Sequence, residues 1–584
     1  MSVTRDTLVE VLEEIVLLLQ LKGENHFKIR AYKNGAEIVQ NFDGDIVALA
    51  RENQLKGIKG LGDALQSKLH ELASTGQMEF YERLRGEFPA GLFDLFELQG
   101  LGPKKVKALY EALGVNSIET LKQVCEDGSV AVLSGFGKKT VENILKAIEA
   151  RASYAGQFLH GDIAGVAQVF LQRLQDHPAV SQACICGSFR RGKETSHDLD
   201  FLVATPEPAV LTAYFATFPE VIDVLAQGET KASVMVTEKG LQCDLRAVSN
   251  AQFPFAQQYF TGSKEHNVEL RSRARARGWS LNEYGFSAIE EGTEVPEVYS
   301  EQGIYAELGL EYVTPELREN RGEIEAAASG TLPRLVELEN LRGTFHNHTT
   351  ASDGSHTLLE MAEAAYALGL EYLGIADHSK SSFQANGLDA ERLLGQVAEI
   401  GALNAQFAAE GRTFRVFTGS EVDILKDGSL DFADSVLSQL DYCVASVHQP
   451  LNMDEETMTQ RVIRAMENPY VTMLGHATGR LLLRRKAYPI HLEKILDCAA
   501  ETGTVIELNC APKRADLDWR WWRRAQEKGV KCSINPDAHH VDGLQNLAFG
   551  VKWARKGWLT RHDIVNTLPL AEVSTFLQAS RPNS

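Results

Sequence analysis

The chain has 584 residues, with 44% hydrophobic and 24% charged content: too long for one core, and ordinary for a globular protein. A formal net charge of −20 argues against a uniformly basic nucleic-acid binder, so any polyanion contact must use local donors. The 8 cysteines are scattered without a CxxC pair, and no run reaches membrane-spanning length, which point to a reduced, cytoplasmic setting and no membrane partner.

The apolar stretch 11–20 is interrupted by Glu13 and Glu14, and reads as an amphipathic helix rather than a signal peptide. Residues 1–85 and 86–150 form two helical regions with an internal repeat. Gly60-Leu61-Gly62, Gly100-Leu101-Gly102 and Gly135-Phe136-Gly137 each precede an amphipathic helix. An apolar residue follows nine positions after each first glycine: Leu69, Leu109 and Ile144. A Gly-x-Gly turn lets a phosphate approach the backbone, and the following helix aims free N–H groups at it. Glycine caps in a plain helical bundle remain the alternative.

From about Ala179 short alternating runs predict strands within a region 151–250. The turn Gly187-Ser188-Phe189-Arg190-Arg191-Gly192 leads into Asp198-Leu199-Asp200. On a strand, Asp198 and Asp200 share one face and Leu199, Phe201 and Val203 the other. A second strand over 241–248 turns Asp244 away from Leu241, Cys243 and Leu245. Three carboxylates on adjacent strands suit two Mg²⁺ or Mn²⁺ ions, the arrangement of a phosphoryl transfer. The Gly-Ser turn and Arg191 are suited to a triphosphate. Solvated edge acids are the competing reading.

A region 251–315 follows, and the charged segment 316–342 is expected to be a linker. Over 343–575 apolar strands alternate with helical segments, predicting β/α units that close into a barrel. His346, His348, Asp353, Asp377, His378, Glu421, His448, His476, Asp537 and His539 recur at the predicted strand ends, where such barrels carry their active sites. Imidazole and carboxylate together suit Zn²⁺, Mn²⁺ or Fe²⁺.

These motifs add up to a resemblance. GSFRRGKETSHDLDFLV, Tyr259-Phe260-Thr261-Gly262-Ser263 and the segment 278–284 resemble the palm and nucleotide-selecting turn of family X DNA polymerases. The paired glycine turns resemble helix-hairpin-helix motifs. The resemblance implies a helical N-terminal region, helix-hairpin-helix fingers, a nucleotidyltransferase palm with a mixed sheet, and a thumb. It implies that Asp198, Asp200 and Asp244 bind catalytic metals, and that Gly187, Ser188 and Arg191 bind the dNTP triphosphate. Tyr259, Phe260 and Gly262 would flank the sugar, and Asn267 and Arg271 would face the nascent base pair and template. His197 and Lys264 depart from the family pattern; a cation at 264 could hold a nucleotide before DNA arrives. Lys68 falls where the family's lyase domain carries its Schiff-base lysine, with Lys28, Tyr32 and Lys33 placed for a 5′-phosphate; a solvated helix lysine is the alternative.

FHNHTTASDG, IADHS, GSEVDIL, ASVH, LGH and NPDAH resemble the motifs of the polymerase and histidinol phosphatase (PHP) domain. That implies a distorted seven-stranded β/α barrel holding three metal ions on His346, His348, Asp353, His378, Glu421, His448, His476, Asp537 and His539. Arg514 would meet a phosphate. The combined expectation is a monomeric repair enzyme acting on gapped or nicked DNA, with a 3′-5′ exonuclease and a 5′-deoxyribose phosphate lyase. A nucleotidyltransferase fused to a small-molecule phosphatase and a non-catalytic repair scaffold are the rival readings.

Overall fold

The computed structural model describes residues 3 and 5–581, apart from 41, 43, 44, 99, 100 and 238. The chain divides into two compact units, Met1–Ala155 and Gly156–Ser584.

The first unit is helical. Arg5–Lys22 and His26–Gln40 pack with Asp63–Thr75 around Leu8, Leu12, Ile15, Tyr32 and Leu69. Pro103–Leu113, Ile118–Glu126 and Lys138–Tyr154 enclose a second core that includes Leu109, Leu121 and Ile144. The three repeat positions Leu69, Leu109 and Ile144 are all buried, which explains their common spacing from the glycine turns. Gly100 lies outside the described residues.

The second unit opens with a five-stranded sheet in the order Gln182–Ile185, Asp198–Ala204, Gln242–Val248, Lys231–Met235, Asp223–Gln227. Asp198–Ala204 runs parallel to Gln242–Val248 and antiparallel to Gln182–Ile185, so the sheet is mixed. Leu199, Phe201 and Val203 pack one face against Phe170 and Phe215 of the helices His160–Asp176 and Pro208–Phe215. That packing sends Asp198 and Asp200 to the other face. Cys184 and Cys186 do share a face, with Sγ atoms 3.8 Å apart. All eight cysteines are free.

Helices Phe253–Thr261, Lys264–Ala276 and Glu301–Glu307 follow, with the hairpin Trp279–Asn282 and Gly285–Ala288. The segment 316–342, read from sequence as a linker, is packed: it contains the helix Glu323–Ser329 and buries Arg318, Glu323 and Ile324.

Beyond it, parallel strands form the barrel. Gly343–Asn347, Tyr372–Ile375 and Arg415–Phe417 pair in order. Glu421–Asp423, Val444–Ser446, Met473–Leu474, Val505–Asn509 and Cys532–Asn535 continue it. The third strand is broken between Phe417 and Glu421; counted as one interrupted strand, it brings the ring to seven. A bridge between Asn347 and Ala538 joins first and last strands. Among the described residues, no helix is long and apolar enough to cross a membrane.

Candidate active sites

In the mixed sheet the register sets Asp200 directly opposite Asp244. Ligand atoms of Asp198, Asp200 and Asp244 all fall within 4.8 Å of one another. Burial, then Asp198 and Asp244, push the Asp200 carboxyl up to about 7. Burial and Asp244 also raise Asp198. Crowded acids that resist ionisation are a fitting donor set for hard divalent cations, whose charge would remove the repulsion. The neighbouring strand supplies partners that sequence reading had not singled out. Ser233, paired opposite Asp244, donates to its carboxylate, and Lys231 Nζ stands 3.5 Å from Asp244 Oδ1. Strand alternation alone could have found them.

Gly187 has φ of +62°, and a Cβ there would sit 2.1 Å from Asp200 Oδ2. Only glycine lets this turn pass so close to the acid. Ser188 Oγ donates to Ser196 Oγ at 2.8 Å. Arg191 is shared: its Nε is 3.0 Å from Glu319 and its Nη1 donates to the Thr261 carbonyl at 2.5 Å. Glu319 in turn accepts from Lys556 Nζ at 2.6 Å, and that lysine also donates to the Arg191 carbonyl at 3.0 Å. Lys556 ends the barrel helix Leu547–Lys556, so the glycine turn rests on the C-terminal domain. Lys552 of the same helix packs over the Phe189 ring, 4.9 Å from its centroid. A Cβ at Gly192 would meet Lys552 at 2.8 Å.

Tyr259 and Phe260 meet edge to face, with centroids 5.2 Å apart. Gly262 takes φ of +69° just before Ser263. Asn267 is buried; it donates to the Tyr259 carbonyl at 2.8 Å and accepts from Gln258 at 2.6 Å. Its amide therefore holds the Tyr259 turn. Lys264 is exposed, and Arg271 is half-buried on the same helix. His197 is exposed beside Asp198, its Nδ1 2.9 Å from the Gly156 carbonyl.

The barrel gathers its histidines and acids at the strand ends. Four overlapping groups form: His348, Asp353, His378 and His539; His346, His476 and Asp537; His346, His348 and Glu421; His378, Glu421 and His448. Glu421 is central, with one oxygen 2.9 Å from His476 and 3.3 Å from His448, and the other 3.0 Å from His378 and 3.3 Å from His346. Burial would raise this carboxyl, but His346, then His448 and His378, hold it well below the ordinary range. Burial, then His539 and His378, lower His348 to about 4, leaving its ring neutral at pH 7. His346 Nε2 and the Nδ1 atoms of His348, His378 and His476 are buried without hydrogen-bond partners. Orphaned imidazole nitrogens beside carboxylates fit metal ions. His346, His476 and Asp537 have φ of 58°, 23° and 51°, a left-handed backbone that aims their side chains inward at a local cost.

Supporting carboxylates surround these residues. Glu507 accepts from His346 Nδ1 at 2.6 Å and from the His476 backbone at 2.6 Å. Asp423 is 2.8 Å from His448 Nδ1. Such partners fix ring orientation, and an acid in the middle of a largely apolar strand was the sequence signal for Glu507. Asp377 stands outside the four groups; Thr349, Ser352 and Gln396 use its oxygens. Arg514 Nε is 3.2 Å from Asp537.

In the first unit, Gly62, Gly102 and Gly137 directly precede helices, and a Cβ on any of them would meet nothing within 4 Å. Internal packing does not demand these glycines, and the backbone at each turn is open to close approach from outside. Lys68 Nζ sits 4.6 Å from the Phe80 ring centre and 5.6 Å from that of Tyr32, and Lys28 Nζ is 5.4 Å from Phe80.

Comparison with known proteins agrees with this architecture. Family profiles match a helix-hairpin-helix domain at 4–78, a SAM-like helix-hairpin-helix tandem at 93–150, the DNA polymerase beta palm at 161–244, the DNA polymerase beta thumb at 256–319 and a PHP domain at 344–511. The chain is 38% identical over 572 residues to the DNA polymerase/3′-5′ exonuclease PolX of Bacillus subtilis, covering 98% of this chain and 99% of that one. A probable phosphatase of Thermoanaerobacter sp. is 29% identical over 248 residues, 40% of this chain and 94% of that protein. A ternary complex of Leishmania infantum polymerase beta aligns with 39% of this chain and 98% of its own, at 23% identity and a TM-score of 0.26. With the palm triad, the glycine turn and the histidine-rich barrel joined in one chain, and full-length identity to PolX, the protein belongs to the PolX family of DNA polymerases with a C-terminal PHP domain.

Proposed function

We propose that this chain fills short gaps in DNA by template-directed dNTP addition at the palm, and trims 3′ termini at the barrel. The observation that carries the first half is Asp200 set opposite Asp244 beside the glycine turn. Mg²⁺ or Mn²⁺ held by Asp198, Asp200 and Asp244 would supply charge stabilisation for phosphoryl transfer. Ser188 and Arg191 bind the triphosphate, and Tyr259 and Phe260 contact the sugar. In the barrel, His346, His348, Asp353, His378, Glu421, His448, His476, Asp537 and His539 would hold three ions, Mn²⁺, Zn²⁺ or Fe²⁺, which would supply Lewis-acid activation for phosphoester hydrolysis. The protein works on gapped or nicked DNA as a monomer in the cytoplasm.

Asp200→Asn is expected to abolish nucleotide addition and leave 3′ trimming intact; His348→Ala is expected to do the reverse. Extension and trimming are measured side by side in Mg²⁺ and in Mn²⁺, with thermal unfolding as the folding control. Wild-type extension by Asp200→Asn would overturn the palm reading, and wild-type trimming by a folded His348→Ala the barrel reading.

The cluster of Lys28 and Lys68 over one aromatic platform favours a further lyase activity. Borohydride should trap the protein on a 5′-deoxyribose phosphate end, and Lys68→Ala should prevent it. Equal trapping of both proteins would assign the chemistry to another amine.

A further inference from the structure

The barrel ligands open into a cavity of about 550 Å³. Asp353, His378 and His448 line it together with Arg485, Lys513 and Arg514, a setting for a metal-bound phosphate. One wall residue does not fit that purpose. Phe383 is 78% exposed, the only largely exposed large hydrophobic among the described lining residues.

Single exposed apolar side chains are ordinary on protein surfaces, so exposure by itself means little. The loop that carries Phe383 is what gives it weight. Ser381 donates through both its N–H and its hydroxyl to Asp431, each at 2.6 Å. Ser382 Oγ donates to Asp423 at 2.7 Å, and Asp423 is the carboxylate 2.8 Å from His448 Nδ1. On the far side Asn386 Nδ2 donates to the Ala351 carbonyl at 3.1 Å. At Gly387 the chain passes so close that a Cβ would lie 1.9 Å from the Ser379 carbonyl oxygen. The loop is pinned before and after Phe383, and one pin is shared with the metal-ligand network. The loop thus fixes residue 383 in the wall of the cavity that the histidines line, with its side chain largely exposed.

We propose that Phe383 is the platform on which the barrel stacks the base of the 3′-terminal nucleotide, making the site selective for a nucleoside end rather than for a phosphate ester alone. A phosphate drawn to metal ions in this cluster and to the cations Arg485, Lys513 and Arg514 would leave its attached nucleoside at the rim. A planar base there covers the apolar ring, an interaction every base can make. The inference rests on the reading of the barrel as a 3′-end nuclease and names what that site recognises.

The test compares single-stranded oligonucleotides ending in a normal nucleotide with the same strands ending in an abasic sugar. Wild-type protein is expected to prefer the base-bearing end by roughly 10- to 100-fold in kcat/KM. Phe383→Ala should bring that preference close to unity, and Phe383→Trp should keep it. On a strand whose last linkage is a phosphorothioate that slows trimming, a 3′-terminal 2-aminopurine should lose fluorescence on binding the metal-loaded wild-type protein and less so on binding Phe383→Ala. Undiminished preference or quenching in Phe383→Ala overturns the inference, as does a wild-type protein that trims both ends equally. A wild-type protein that releases nothing from either end sinks the nuclease reading as well.

Discussion

Gly187 shows how much one missing methyl group can decide. Its φ of +62° and the 2.1 Å approach to Asp200 leave no room for a side chain. Alanine there would have to displace either the turn or the carboxylate, and both belong to the palm site. Gly187→Ala is expected to slow nucleotide addition by about 100-fold, the scale of an ångström's misplacement of a reacting group. Trimming of 3′ ends by the barrel should continue. Extension at more than a tenth of the wild-type rate would mean that the turn moves aside freely. The motif around Gly187 was legible in the sequence because glycine, serine and paired aspartates are rare in that order. The contact that makes this glycine obligatory was not, since it depends on how close the turn comes to the strand.

The barrel helix Leu547–Lys556 has a role that no local motif announces. Its last residue, Lys556, is fully buried, and burial lowers its ammonium to about 8 despite Glu319 beside it. Glu319 is bound closely by Lys556 and Arg191, which are far apart in sequence, and Lys193 stands 4.0 Å from its other oxygen. Lys556 takes up part of the carboxylate's charge, which, in the role proposed for Arg191, would leave that guanidinium available to a triphosphate. In Lys556→Met, Glu319 would keep Arg191 as its close partner, with only the more distant Lys193 to share its charge. The KM for dNTP should rise roughly tenfold, about the 1.5 kcal/mol of one charge-assisted hydrogen bond, with a smaller change in kcat. Lys556→Arg should recover part of it. Equal falls in kcat and kcat/KM with unchanged KM would point to a different role, and loss of 3′ trimming as well would signal a damaged barrel. Sequence periodicity located the strands of the barrel and the histidines and acids that cluster at their ends, because these residues end apolar runs. It could not locate this contact, whose partners carry the same charges as dozens of solvated residues.

In the molecule as a whole, what could be read in advance follows chemistry, and what could not follows packing. Nine histidines and acids recur at strand ends and assemble into overlapping groups that could hold metal ions. Segment 316–342 looked like a tether from its charge, yet Arg318 is fully buried against Glu301, and Glu316 is 2.9 Å from Arg555 of the barrel helix. Charged residues mark solvent only until they find partners, and pairing is invisible along the chain. Arg480 and Arg520, 3.6 Å and 3.5 Å from Glu194, add to the same seam between palm and barrel. A gene shortened at the start of the barrel would therefore not yield a polymerase minus its nuclease. It would yield a palm whose nucleotide turn has lost its floor, with Glu316 and Glu319 stripped of their lysine and arginine partners. A descendant lineage that gave up the nuclease could discard its metal ligands one by one, but would be held to keep the barrel as a scaffold.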